Sequence, residues 1–357
     1  MDTLDFIIVG QGIAGSCLAF ELAERGAKIR VIDDSWRDAA CLVAAGVINP
    51  ITGQRLVKSW RSELAHPYAK KFYCELEKKL GRTFYHDRKI LQLCKSREER
   101  ALWLERAAES KYAEFIGESH GGGFFDSLND SNGSYFIEHS AWVETRRAME
   151  AFKDFFISLG ALQCEKFDFA KLDASGALLS YGGIKSKRIV FCDGWRVVDN
   201  PFFNWLPYRP AKGEILTLRS DAEIPPHIIH RGNWIMKCAP DKFRIGSTWD
   251  RENLDSLPTQ AALKELSAAA PNMFKKKICF EVAEHNAGVR PCTATTRPHI
   301  GAHPSDSRIL SFNGFGSKGY ALSPYFSKHF CDWLGGGVQL DAEADISRHV
   351  RKFFRRA

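Results

Sequence analysis

The sequence predicts an α/β fold with a second, sheet-containing α+β part interleaved in it. A short apolar run at residues 6–9 stops at a glycine, gives way to helical spacing and returns as a second run at 29–32. A further buried-type run at 309–312 comes near the other end of the chain and again leads through a glycine-rich turn into helical spacing. The stretch between them mixes strand and helix patterns and contains no internal repeat.

Taken in order, residues 6–9 read as a buried parallel strand. Residues 15–25 form a helix: Cys17, Leu18 and Leu22 fall on one stripe, Ala19 and Ala23 permit close packing, and Gly26 suits its left-handed end. The strand at 29–32 ends at Asp33 and Asp34. Small residues and turns fill 39–53. Helices are predicted over 67–80, 97–110 and 143–159, and the Gly-, Asp- and Asn-rich stretch 121–134 is a loop. Strands follow at 162–167, 178–184 and 188–192. The Pro- and aromatic-rich stretch 201–210 marks a boundary. Beyond it the pattern gives strands at 214–218, 234–237 and 243–245, a helix over 260–269, the strand at 309–312 and a helix over 323–334.

Composition bounds the answer. A 357-residue chain makes two or three structural units, and 45% hydrophobic with 26% charged residues excludes disorder, collagen and coiled coil as the main architecture. The net charge of +7 is compatible with an anionic substrate or a nucleic acid and requires neither. Ten scattered cysteines without a C-x-x-C pair argue against a disulfide framework and a zinc site, and no metal is expected. Free thiols, an N-terminus without signal-peptide features and no stretch long enough to span a membrane point to the cytoplasm.

Gly10-Gln11-Gly12-Ile13-Ala14-Gly15 is G-x-G-x-x-G, set between the first strand and the first helix. Gly10 allows the tight turn, Gly12 lets the backbone approach a pyrophosphate, and Gly15 lets the helix lie close on the strand. The helix N-terminus supplies N–H groups and a partial positive charge for the phosphates. Asp33, at the end of the next strand, accepts from ribose hydroxyls and disfavours a 2′-phosphate, and Asp34 follows it. The late turn Gly314, Gly316, Ser317, Lys318 and Gly319 feeds a helix N-terminus, which suits the charge that builds on a flavin pyrimidine during reduction.

These and later segments resemble the FAD-dependent D-amino-acid oxidase superfamily, with its glycine oxidase and sarcosine oxidase branch nearest. The first 33 residues match its nucleotide fingerprint. Ala44-Ala45-Gly46-Val47-Ile48 resembles the family's small-residue loop beside the flavin. Arg209-Pro210-Ala211-Lys212-Gly213, Ile245-Gly246-Ser247-Thr248 and Gly288-Val289-Arg290-Pro291 with Pro298-His299-Ile300-Gly301 resemble its later segments, in order.

The resemblance implies noncovalent FAD and a discontinuous Rossmann-like FAD-binding domain from residues 1–55, 140–205 and 285–357. A substrate domain would come from 56–139 and 206–284. It implies oxidation of a C–N bond in a small amine or amino acid, hydride passing to flavin N5 and the imine then hydrolysing. The electron acceptor, dioxygen or another, is left open, as is the oligomeric state. Arg290 is the implied carboxylate clamp, since guanidinium offers a planar bidentate fork. Lys318 stands where glycine oxidases carry a second arginine, and is read as a charge near the flavin or a solvated loop lysine. Arg244 is read as a dioxygen-assisting cation or as one wet position on a strand. Trp234 and Trp249 are candidate cavity walls, His299 a structural residue. The stretch 46–53, followed by the basic, aromatic stretch 55–61, and the G-S-K-G turn are similar to the oxidase domain of the bifunctional tRNA 5-methylaminomethyl-2-thiouridine enzyme. That keeps tRNA contact open, as does the basic run 348–356. A flavin-binding protein without turnover is the third reading.

Overall fold

The structure is a computed structural model and describes residues 3–53 and 55–354. Arg355 and Arg356, two cations of the basic C-terminal run, lie outside the described residues.

The chain opens as a βαβ unit: β1 (Leu4–Val9), α1 (Ile13–Glu24) and β2 (Ile29–Asp33). The two strands are parallel, with Phe6 opposite Ile29 and Val9 opposite Ile32. Leu162–Cys164 adds beside β2, Ile184–Phe191 adds on the other side of β1, and Asp306–Asn313 lies beyond that, all parallel. Residues 6–9, 189–191 and 309–312 of these strands are buried and largely apolar because both sheet faces are covered there. On one face α1 packs with helices Ser62–Leu80, Thr145–Ser158 and Gly319–Leu334 around Phe20, Phe72, Phe152 and Phe156. On the other, Leu179, Tyr181, Phe203 and Leu206 cover Ile7, Ile189 and Ile309.

A second sheet of eight strands stands apart from the first. Its order is Glu281–Arg290, Ala211–Arg219, Lys242–Gly246, Asn233–Ala239, Ile228–Arg231, Ile90–Leu93, Ser134–Ile137, Ile116–His120. Only Ile228–Arg231 against Ile90–Leu93 runs parallel. One face carries Leu216, Leu218, Phe243 and Ile245 against Leu266 of helix Gln260–Ala269. The other looks onto the C-terminal ends of the parallel strands.

Two features differ from the expected boundaries. Helix Ser62–Leu80 begins five residues before the predicted start, and its stripe Ala65, Ala69, Phe72, Tyr73 and Leu76 is buried in the core of the first sheet, not with the second. A boundary at 285 would cut a continuous strand, since Glu281–Arg290 pairs along its length with Ala211–Arg219. That strand carries no apolar run because it forms the sheet edge, where residues 281–284 are exposed.

Candidate active site

A cavity of about 1000 Å³ lies between the sheets, at the C-terminal ends of the parallel strands. Its lower wall includes Gly10, Gly12, Asp33, Asp34 and Asp193; its roof includes Gly213, Ile215, Trp234, Ser247 and Arg290. This is where an open α/β sheet binds ligands, because strand ends and helix N-termini leave backbone donors free there.

At the lower end the glycine motif has the geometry its spacing predicts. A Cβ on Gly15 would come within 1.9 Å of the Gly10 carbonyl oxygen, so α1 seats against the turn only through a glycine. A Cβ on Gly12, the residue before α1, would meet no atom within 4 Å, so the position opens into the cavity. Ile13 and Ala14 line the cavity in the first helical turn. The Asp33 carboxylate accepts from the backbone N–H of Gln11 at 2.8 Å and of Trp36 at 2.6 Å. Burial raises Asp33 above the usual carboxylate range, against the lowering effect of those two bonds.

Sequence reasoning missed Trp36, Asp38, Asp193 and Arg196, all in the wall. Asp38 accepts from Arg196 and from the Ser256 hydroxyl, and so joins the two sheets' loops. No local signal marks it; its partners lie 158 and 218 residues away. Asp193 follows strand Ile184–Phe191 and accepts from Asn200 Nδ2 at 2.8 Å and Asn313 Nδ2 at 2.9 Å. Burial pushes its carboxyl up to about 6 in spite of both bonds.

The small-residue loop supplies Ala45 and Gly46 to the wall. Gly46 has φ +75°, and a Cβ there would come within 2.0 Å of the Val143 carbonyl oxygen. Arg244 does not line the cavity. It donates through Nη2 to the Val43 carbonyl at 2.6 Å and through Nη1 to the Ala44 carbonyl at 3.3 Å. Its strand register, opposite Thr217, turns it toward this loop and commits it to buttressing the backbone.

The late turn divides. Gly316, Ser317 and Gly319 line the cavity, and helix Gly319–Leu334 starts four residues before the predicted 323, so the glycine turn is itself the helix N-terminus. Gly314 and Lys318 are absent from the wall. Gly314 is packed against Thr293 and the His299 backbone. The Lys318 ammonium lies within electrostatic reach of Arg297 and His66 instead; burial lowers its pKa, and Arg297 adds to that.

Arg290 faces the roof of the cavity. Its Nη2 donates to the Ser247 hydroxyl at 2.8 Å and the Thr248 carbonyl at 3.3 Å, and Nη1 to the Lys212 carbonyl at 3.1 Å. Among the described residues no carboxylate pairs with it, and burial lowers its pKa. Trp234 lines the roof, whereas Trp249 lies with its ring centre 4.9 Å from the Arg290 guanidinium carbon and is half exposed. His299 is fully buried between Tyr208 and His349.

The family profile of the FAD dependent oxidoreductases, DAO, matches residues 5–333. The chain belongs to this family. Glycine oxidase from Pseudomonas putida is 23% identical over 92% of this chain and 94% of its own length. The bifunctional protein ThiO/ThiG of a Nostoc species is 25% identical over 93% of this chain, but the chain spans only 53% of that relative's length. The solved glycine oxidase of Geobacillus kaustophilus superposes with a TM-score of 0.83 at 18% identity, covering 98% of this chain and all of that one. As a member of the family the chain is an FAD-dependent oxidoreductase, and the residues present suit the cofactor: a cradle at Gly12 that a side chain would fill, an acidic strand end at Asp33, and a second helix N-terminus at Gly319. Among the described residues no group of side chains suits a metal ion, and no helix is long and apolar enough to cross a membrane.

Proposed function

We propose that the chain oxidises the C–N bond of a small amino acid or amine of the glycine, sarcosine or D-amino-acid type, using noncovalent FAD held by the first sheet under a substrate roof formed by the second. The observation that carries this is Arg290, a cavity-facing guanidinium without a carboxylate partner among the described residues. A cation taken largely out of water calls for an anion, and the planar fork suits an α-carboxylate. Ser247 and the carbonyls of Lys212 and Thr248 fix the guanidinium in one orientation.

FAD supplies the hydride acceptor when bound. The chain's own part is orientation and control of charge. Every carboxylate in the cavity wall belongs to segments 33–38, 165–168 and 193–199, and the roof segments contribute none. An amine held beneath Ile215 and Trp234 has no counter-ion, so desolvation favours the neutral form that can release hydride. Anaerobic addition of glycine, sarcosine or D-amino acids to the holoenzyme tests the reading by bleaching of the flavin band. No bleaching with any of them would overturn it.

A second reading, the same chemistry on an N-substituted glycine of a tRNA uridine, is favoured by the resemblance of the Gly46 loop and the 316–319 turn, both at the cavity. Much of the nearby basic stretch is already engaged, however: Arg61 pairs with Asp341, and Lys58 lies 3.8 Å from Glu63. RNA affinity that falls steeply with rising salt would support this reading; no RNA binding at low salt would remove it.

A further inference from the structure

The segment following Ser247 sets a second cation beside Arg290. The ring centre of Trp249 lies 4.9 Å from the Arg290 guanidinium carbon and 5.7 Å from that of Arg251. The backbone of Asp250 is paired both ways with Lys212: Lys212 N–H donates to the Asp250 carbonyl at 2.7 Å and Asp250 N–H to the Lys212 carbonyl at 3.0 Å. In a chain paired in this way the flanking side chains project to one side and the central one to the other. Trp249 and Arg251 therefore share a side with Arg290. The Asp250 carboxylate turns to the N–H groups of Glu252 and Asn253 and the Asn253 amide. The same Lys212 carbonyl accepts from Arg290, so all three groups hang from one strand residue.

Neither arginine is neutralised. Among the described residues no carboxylate pairs with Arg251 or with Arg290, although Arg251 is exposed and its chain neighbourhood is acidic. Trp249 is 53% exposed, an aromatic face left open between the two guanidinium groups. Cys292, two residues beyond Arg290, lies within electrostatic reach of both. The arrangement gives two anion acceptors of different burial: an inner one at the cavity, fixed by three hydrogen bonds, and an outer, exposed one beyond the Trp249 ring, outside the cavity lining.

We propose that Arg251 is a specificity-determining residue which receives a second carboxylate of the substrate. The preferred class is then an amino acid carrying a carboxyalkyl group on its nitrogen, with the α-carboxylate on Arg290, the alkyl linker on Trp249 and the distal carboxylate on Arg251. This rests on the amine-oxidation reading and adds the substrate class to it. Arginine suits the outer place because its fork binds a carboxylate bidentately even where water competes.

The test compares kcat/KM for iminodiacetate and N-(2-carboxyethyl)glycine with that for sarcosine and N-propylglycine, in the wild-type holoenzyme and in Arg251→Gln and Arg251→Lys. The wild type is expected to prefer the dicarboxylates. Arg251→Gln is expected to lower the dicarboxylate-to-monocarboxylate ratio about tenfold, with part of it restored in Arg251→Lys. A ratio that does not move in Arg251→Gln overturns the proposal. If none of these amines bleaches the flavin, the amine-oxidation reading has failed, and binding still tests the site. Thiodiacetate, which carries both carboxylates and no amine, is titrated against the absorption of bound FAD. A Kd about tenfold higher in Arg251→Gln supports the two-carboxylate site, and an unchanged Kd overturns it.

Discussion

Arg244 Nη2 donates to the Val43 carbonyl at 2.6 Å, a bond that ties the second sheet to the loop carrying Ala45 and Gly46 into the cofactor cavity. The guanidinium is a positioning group: it shapes the cavity wall without forming part of it. Its partners are backbone carbonyls of a part-buried loop, so removing the donor takes away bonds that hold the loop in place.

Arg244→Ala is therefore expected to destabilise the protein by about 2 kcal/mol and to loosen FAD. The checks are the urea midpoint and the fraction of FAD retained on gel filtration. A variant with wild-type stability and cofactor retention would contradict the assignment.

Arg290→Ala is expected to lower kcat/KM for an amino-acid substrate about 10- to 100-fold, mostly through KM, because a charge-assisted bidentate contact is lost. Arg290→Lys should recover only part, since an ammonium cannot reproduce the fork. Steady-state kinetics at matched FAD content decide this.

Gly12 and Gly15 should separate cofactor binding from folding. Gly12→Ala meets nothing within the chain but intrudes on the cavity, so FAD affinity should fall about tenfold or more while the apoprotein keeps its stability. Gly15→Ala forces a Cβ into the Gly10 carbonyl and should cost about 3 kcal/mol or prevent folding. Flavin fluorescence titration and thermal melts of both apoproteins read the two effects.

Asp193 sets a pH dependence with a defined sign. Its native carboxyl titrates at about 6, above the ordinary value of 3.8, so the folded state binds the proton more tightly than the unfolded one. Its contribution is most favourable at low pH and is lost as pH rises from near 4 through 6. Between pH 5 and 7 the wild type should lose about 1 kcal/mol relative to Asp193→Asn. The variant should still be the less stable protein near pH 5. Asn200 Oδ1 is held by Phe202 N–H and Asn313 Oδ1 by Gly314 N–H, so neither amide can flip to accept from a new NH2 group. Urea melts of the two proteins across that range test both statements.

What was legible in the amino-acid order lies where structure is local. The Gly10–Gly15 turn, the helix behind it and Asp33 fall within one βαβ unit, and Asp33 closes on Gln11 only 22 residues back. Apolar periodicity also marked the buried parallel strands, since both of their faces are covered. Helix Gln260–Ala269 kept its predicted ends because Thr259 caps it through Ala262 N–H. The edge strand Glu281–Arg290 carried no such pattern, and its pairing with Ala211–Arg219 joins residues about 70 apart.

The direction of each functional side chain was a different matter. Arg290, Arg244 and Lys318 are equally plausible cations as letters in a chain, yet one faces the cavity, one buttresses its wall and one sits outside it. For Arg290 and Arg244 the outcome follows from strand register and sheet face, where a slip of one residue turns a side chain to the opposite side, and for Lys318 from its place in the turn before helix Gly319–Leu334. Asp193 meets Asn313 across 120 residues, and Asp38 meets Ser256 across 218. Such contacts form only when distant segments pack, so the glycine-turn end of the cavity was written in local pattern, and its roof arose from packing between segments far apart in the chain.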